Sequence, residues 1–532
     1  MWPQDYTPAG HSLALSAVLA GVPIFVLLLL IGVWRRPAWI ASLAGLGAAM
    51  VVAAGIYGMP AGLMFSAIGY GAAFGLFPIG WVVFSAILLY RVTLEGGQFE
   101  ILKDSIGHLT SDSRLQALLI AFAFGAFVEG AAGFGTPVAV AAAMLVGLGF
   151  TPFYAAAICL LANTAPVAFG SIAIPITTLA VTTGLPLDRL SAGVGRICAP
   201  VSLFIPAYLI LVMSGWRGLK AVLPAAAACG VAFAGTQFVV SNFIGAPLTD
   251  ILSSMAAMGA LLIVIRLGSR AEQASAHPRH SGRTIAMAWA PYALLVVFVL
   301  LWGYKPLAAE LNRYSIPINW PGLHNLIQRM PPVAPKPSPY AAVYNFTWLS
   351  ASGTACLFAA ILAAMIVGLS PAKFFGVLGH TAKQLAKAEL TLAAVLGLAF
   401  LMNYCGATAT LGLAFAATGA LFPFFSALLG WLGVFLTGSD TSSNALFGTL
   451  QEVTAGKLGM NPVLMAAANS AGGVMGKMIS LTSIAVAVAA TNMKREDEGL
   501  LFRFTLKHSM LLASVIGLLV MFYAYVMPAW AP

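Results

Sequence analysis

Charge is what this chain has least of. Only 8% of its 532 residues are Asp, Glu, Lys or Arg, against about a quarter in an ordinary soluble domain. That shortage excludes a water-facing surface over most of the molecule. The five cysteines (Cys159, Cys198, Cys229, Cys356, Cys405) are odd in number, lie in apolar or Gly/Ala-rich stretches and lack metal-type spacing. They read as free buried thiols rather than a disulfide frame or a metal site. The seven histidines (His11, His108, His277, His280, His324, His380, His508) fall in loops or near the ends of apolar runs, which argues against a histidine proton relay through a bilayer. No HExxH, GxSxG or nucleotide motif is present. Residues 471–478 approach a phosphate-binding loop but carry Ala471 for its first glycine and Met478 at the Ser/Thr position. The chain is therefore expected to be no enzyme and to need no cofactor. The start, MWPQDYTPAGH, lacks the basic n-region of a cleaved signal peptide, so the first apolar run is expected to stay as an anchor.

Hydrophobic residues make up 60% of the chain, and apolar runs of about 20 residues recur from end to end, the pattern of an all-α polytopic membrane protein. About 12 spans are expected, at 12–34, 38–57, 62–90, 152–181, 190–213, 220–242, 248–266, 285–304, 344–368, 423–452, 461–490 and 506–528. Two further stretches, 115–149 and 389–421, have Gly-rich centres and read as re-entrant hairpins or pairs of short helices. Each follows a basic amphipathic segment, 92–113 and 370–388, expected to lie on the membrane surface. The net charge of +10 comes from short Lys/Arg clusters between apolar runs: Arg35 and Arg36, Arg266 to Arg283, Lys373 to Lys387, Lys494 and Arg495. That is positive-inside patterning on a lipid bilayer, not a nucleic-acid footprint. It puts the N-terminus outside, the loops carrying Arg35, Lys103, Arg217, Arg270, Lys383 and Lys494 in the cytoplasm, and the Pro-rich segment 305–343 outside as a lid or ordered loop.

The chain also resembles itself. Asn403-Tyr-Cys-Gly-Ala-Thr-Ala-Thr410 sits in the second hairpin where Glu129-Gly-Ala-Ala-Gly-Phe-Gly-Thr136 sits in the first, and Pro152-Phe153 is echoed by Pro423-Phe424. Then come the interrupted helices, with Asn163 to Gly170 against Ser443 to Gly448, and Gly193-Val-Gly-Arg196 against Gly473-Val-Met-Gly-Lys477. Four matches in one order imply a duplicated unit. The division is N-terminal spans 1–61, a first repeat 62–213 (hairpin 115–149, broken helix 152–181), linking spans 214–304, the extramembrane segment 305–343, and a second repeat 344–532 (hairpin 389–421, broken helix 423–452, then 461–490). Paired broken helices point to a midplane binding site in a secondary transporter; whether the halves are parallel or inverted stays open.

The most polar of these breaks is 437–448, TGSDTSSNALFG, with one acid, five hydroxyls and an amide in its first eight residues. At membrane depth an unsatisfied polar group costs several kcal/mol, so such a cluster marks a held substrate or ion. Ser439, Thr441, Ser442, Ser443 and Asn444 offer donors to an anion at a half-helix N-terminus, and Asn163 and Thr164 offer the same in the first half; the bland alternative is local capping. Thr136 and Asn403 occupy the matching hairpin tips. Glu129 and Asp440 are the candidate proton carriers, because desolvation disfavours charge on a carboxylate in an apolar setting. For Glu129 the alternative is a neutral acid bonded to backbone, and for Asp440 a helix cap. Lys477 and Arg196 are candidate counter-charges to a carboxylate substrate or to these acids, with Arg196 equally readable as an interfacial anchor.

The segments EGAAGFGTPVA (129–139), NTAPVAFG (163–170), LTGSDTSSNALF (436–447) and GGVMGKMIS (472–480), with WRG at 216–218 and NFIG at 242–245, resemble the bacterial lactate permease family over nearly the whole chain. The resemblance implies a cytoplasmic-membrane secondary transporter taking up L-lactate, D-lactate or glycolate with a proton, and kinship with ion-transporter folds of two repeats with hairpins. In one place the chain departs: many members continue after the lysine as Ser-Pro-Gln-Ser, where this chain has Ser480-Leu481-Thr482-Ser483. That leaves the preferred 2-hydroxy acid open. Sodium coupling, to which unwound backbone and hydroxyls are also suited, is the runner-up, and an anion channel the alternative from another class.

Overall fold

The computed structural model describes residues 1–107, 109–133, 135–268, 280–494 and 497–531. His108, Phe134, Arg270, His277 and Arg495 of the sequence reading lie outside these residues. Among the described residues, 11 helices are long and apolar enough to cross a membrane, or up to 12 if the bent pair Pro152–Ala162 and Val167–Thr183 counts as one span. The chain is thus an all-α polytopic membrane protein.

Helix breakers decide where its elements stop. In the first hairpin the run Ser113–Ala131 gives way, with Gly133 and Gly135 at positive φ, to Thr136–Gly147. In the second, Pro371–Cys405 turns at Gly406 into Ala407–Phe415. Gly406 sits at φ +96°, a conformation that a β-carbon would strain. The segment 370–388 was expected to lie on the membrane surface. Instead it forms the start of Pro371–Cys405, a single 35-residue helix. After Pro371 no proline interrupts it before Gly406, and Ala, Leu, Lys and Glu dominate, so nothing local stops the helix. The corresponding segment 92–113 does break: Trp81–Glu95 ends at Gly96 and Gly97, and a separate helix Gln98–Gly107 follows. The expected spans 190–213 and 220–242 run on as one helical stretch, Leu187–Val239, kinked at Gly215 and Val222.

The Pro-rich segment is ordered by a small sheet. Strand Trp2–Pro3 pairs parallel with Ile327–Arg329, which pairs antiparallel with Ser338–Pro339, and Ile316–Asn319 pairs antiparallel with Val343–Phe346. The N-terminus and this segment therefore share one side of the molecule. Basic residues meet at the other: Arg91 bonds Gln384, His280 pairs with Asp104 at 3.5 Å, and Arg114 lies beside Gly218. The N-terminal arm also covers the Gly406 turn. Gln4 Nε2 donates to the carbonyls of Asn403 and Tyr404, both at 2.9 Å, and Thr410 Oγ1 donates to Tyr6 O at 3.0 Å. Replacing Gln4 with Ala strips two buried carbonyls of their donor, a loss of about 1–3 kcal/mol. The thermal midpoint of the detergent-purified variant is expected to fall; a midpoint matching the parent's would show that the arm does not hold the hairpin.

Candidate functional site

The two sets of breaks enclose a cavity of about 270 Å³ whose polar lining is Glu129, Ser171, Thr391, Thr437, Ser439, Asp440, Thr441, Ser442, Lys477, Thr482 and Ser483. Ala38 and Ala388 also line it; they directly follow the Arg36-Pro37 and Lys387 positions, so the cavity reaches toward the basic end.

One wall is built by the 437–448 stretch, but the interruption is shorter than the sequence suggests. Helix Phe422–Thr437 closes on Gly438, at φ +73°, and the next helix, Asp440–Leu458, begins after Ser439. Only two residues are non-helical, and Ser443 to Gly448 lie within regular helix. Ser439 is the cap, its Oγ accepting from Ser442 N at 3.2 Å, so Asp440 is freed from capping duty and stands in the first turn. A β-carbon at Gly438 would come 2.1 Å from Thr482 Oγ1, so glycine is needed there for space as well as for φ. Lys477 ends helix Pro462–Lys477 and donates from Nζ to Gly438 O at 2.7 Å, placing its ammonium at the carbonyl end of the neighbouring helix. It is in electrostatic contact with both Glu129 and Asp440.

Asp440 Oδ2 accepts from Ser470 Oγ at 2.6 Å and from Asn444 Nδ2 at 3.4 Å, while Oδ1 has no partner among the described residues. Asn444 Nδ2 also donates to Pro175 O at 3.1 Å, and its Oδ1 accepts from Asn469 Nδ2 at 2.9 Å. It ties the second-half wall to the bent helix of the first half. In that bent helix, Pro152–Ala162 and Val167–Thr183 meet at 65°. Ser171, Ile172 and Ala173 sit at φ +47°, +60° and +59°, a left-handed turn costing roughly 1–2 kcal/mol per residue. Such strain persists where surroundings enforce it, commonly at functional sites. Here Ser171 Oγ donates to Ala132 O at 2.9 Å, pinning the turn to the first hairpin tip. Glu129, on Gly125–Ala131, is buried against Gly170. Asn163 is within reach of it without completing a hydrogen bond of ordinary geometry.

Of the sequence-derived candidates, Glu129, Asp440, Lys477, Ser439, Thr441 and Ser442 come together on the cavity. Asn163 stands behind Glu129. Ser443 turns away, donating to Gly430 O at 3.2 Å, and Thr164 caps its own helix end on Leu161 O at 2.7 Å. Asn403 bonds Thr449 Oγ1 at 3.0 Å, and Thr136 opens Thr136–Gly147 outside the lining. Arg196 does not reach the cavity. Its Nε donates to Asn242 Oδ1 at 2.8 Å, and its guanidinium bonds Trp530 O at 2.5 Å while lying over the Trp530 ring. It anchors the C-terminal end, so Arg196 and Lys477, which follow similar motifs in the sequence, do not share similar surroundings. Ser171 and Thr391 on the cavity, Ser470, the partner of Asp440, and Asp250, buried against Gly130, escaped the sequence reading. Each left a faint signal, a polar residue inside or at the start of an apolar run. At the departure from the family pattern, Ser480 caps Leu481–Ala490 and Thr482 and Ser483 face the cavity.

An ammonium, two carboxyls and several hydroxyls around so small a space suit a small anion. The comparisons agree. The chain matches the L-lactate permease family over residues 16–527. It is 44% identical to the L-lactate permease of Bacillus subtilis over 97% of each chain. It is also 44% identical to the glycolate permease GlcA of Escherichia coli, over 99% of this chain and 98% of that one. Among solved structures it is similar to MtrF of Neisseria gonorrhoeae at a TM-score of 0.45 and 13% identity, over 87% of this chain and 83% of that one. Bacterial relatives named as permeases and the many apolar helices make this a multi-pass protein of the inner membrane. The chain belongs to the L-lactate permease family.

Proposed function

We propose that the protein is a secondary active transporter that imports L-lactate, D-lactate or glycolate together with a proton across the cytoplasmic membrane. The observation that carries this reading is the Lys477 ammonium, held by Gly438 O on the same cavity as Glu129 and Asp440. In this reading Lys477 attracts the substrate carboxylate, and the hydroxyls of Ser439, Thr441 and Ser442 complete its shell at the N-terminus of Asp440–Leu458. Glu129 or Asp440 carries the proton that accompanies the anion. Moving an uncompensated charge against 100 mV costs about 2.3 kcal/mol, which coupled protonation avoids. The segments 62–213 and 344–532 act as the two repeats. A cavity reaching toward the basic end corresponds to the cytoplasm-facing state.

Proteoliposome uptake of labelled lactate and glycolate, with a pH gradient or a sodium gradient imposed, tests the coupling. Accumulation is expected to follow the pH gradient; accumulation that ignores it and follows sodium would overturn the proton reading. Glu129→Gln and Asp440→Asn address the carriers. At least one is expected to lower pH-driven accumulation about ten-fold or more, and normal accumulation in both would remove these residues from the mechanism.

A further inference from the structure

Asp250 lies at the start of helix Thr249–Gly268, fully buried, and packs its Cβ where a β-carbon on Gly130 would stand only 2.8 Å away. It is therefore lodged against the residue next to Glu129. An aspartate in a helix's first turn ordinarily accepts a backbone N–H. Here neither Oδ1 nor Oδ2 has a partner among the described residues. Glu129 and the break of the bent helix share the deficit. Glu129 Oε2, both amide atoms of the buried Asn163 and Gln237 Oε1 are likewise unpartnered among the described residues. Gln237 Nε2 meanwhile holds Ala165 O, in the break of the bent helix, at 3.2 Å. Buried polar atoms rarely stay unpaired, and bound water commonly bridges those that protein groups leave open.

Charge selects the occupant. The titratable groups facing Asp250 are Glu129, from Gly125–Ala131, and Cys198, from Leu187–Val239, among the described residues. The other elements against it, Ala117–Phe124, Gly170–Thr183, Val240–Ile244 and Ala246–Leu248, carry no titratable side chain. Lys477 reaches Glu129 from the cavity side, whereas among the described residues no cation faces Asp250. Two carboxyls in electrostatic contact in such a place favour holding a proton over bearing two charges.

We propose that Asp250 and Glu129 form a carboxyl pair that shares the transported proton through water bound by Asn163 and Gln237, with Asp250 as the inner proton-holding member. The inference rests on the proton-symport reading above and adds a residue that does not line the substrate cavity.

The test compares two modes of transport in proteoliposomes. Lactate exchange between internal and external pools needs no net proton movement, whereas accumulation driven by an imposed pH gradient does. In Asp250→Asn the ratio of accumulation to exchange is expected to fall at least ten-fold, and Asp250→Glu is expected to restore much of it with a displaced pH profile. A purely structural role would lower both modes in proportion, and an unchanged ratio or a proportional loss overturns the proposal. If Asp250→Asn yields no folded protein, carbodiimide labelling of the parent protein decides, since it modifies protonated buried carboxyls. Asp250 is expected to be labelled together with Glu129, more at acid than at alkaline pH; labelling of Glu129 alone overturns the proposal. A parent protein whose accumulation ignores the pH gradient refutes proton symport itself, and that result is read separately.

Discussion

Lys477→Met is expected to reduce lactate uptake at least 100-fold while leaving a folded, monodisperse protein. Among the described residues lining the cavity, Lys477 is the one cation, facing two acids. Lys477 Nζ makes a charge-assisted hydrogen bond to the carbonyl of Gly438, an interaction worth about 1.5–3 kcal/mol, and each 1.4 kcal/mol is about ten-fold. The lower bound of the range already gives more than ten-fold, and a substrate anion that meets Asp440 and Glu129 without an opposing charge adds repulsion. Lys477→Arg is expected to recover little. Its Nζ meets a single carbonyl, Gly438 O, in a space bounded by Thr482, and a planar guanidinium needs a wider, two-acceptor seat. Asp440→Asn in the Lys477→Met background is expected to cost less than in the parent, because the two groups act on each other. Uptake by Lys477→Met within about three-fold of the parent would remove the residue from substrate binding.

The membrane architecture was legible because hydropathy and glycine act locally. The apolar runs set most spans, though the expected 344–368 opens on strand Val343–Phe346 and holds only the 15-residue helix Ser352–Ile366, and Gly133, Gly135 and Gly406 set the hairpin turns. The polar stretch 437–448 was conspicuous for the same reason, and Lys477 stood out as a cation deep in an apolar run. What stayed hidden depends on partners distant in sequence. Nothing in DTSSNALFG says that the helix restarts at Asp440 rather than further on; the turn at Gly438 and the Ser439 cap on Ser442 N set it there. Arg196 and Lys477 follow similar Gly-rich motifs, yet Trp530 and Asn242, hundreds and tens of residues away, claim the arginine. Asp250 sits at an ordinary-looking helix start, and only its packing on Gly130 reveals that it is uncapped and beside Glu129. The strand Trp2–Pro3 is too short for any periodicity to announce.

Gly472→Ala is expected to lower both the thermal midpoint and the uptake per folded molecule, the latter about ten-fold or more. Helices Phe422–Thr437 and Pro462–Lys477 cross with their backbones in contact, and glycines make the crossing possible. A β-carbon at Gly472 would stand 2.0 Å from Ala427 O, one at Gly430 1.8 Å from Asn469 O, and one at Gly476 2.3 Å from Trp431 O. All are far inside the ordinary contact distance of about 3.5 Å, and the obstacle each time is backbone, which no rotamer change relieves. The helices must separate. Overpacking of this kind costs about 1–3 kcal/mol, occasionally more, and a backbone clash belongs at the upper end. Separation also stretches what the crossing holds in place: Ser426 Oγ on Met465 O at 2.9 Å, and Lys477 Nζ on Gly438 O at 2.7 Å. Loss of activity then follows from displacement of the ammonium, not only from instability. Gly456→Ala is the control, since a β-carbon there meets nothing within 4 Å and alanine favours helix by roughly 0.5–1 kcal/mol; it is expected to keep or raise the midpoint. Equal behaviour of the two alanine variants would mean that the crossing does not position Lys477, and the cavity would need another source of its rigidity.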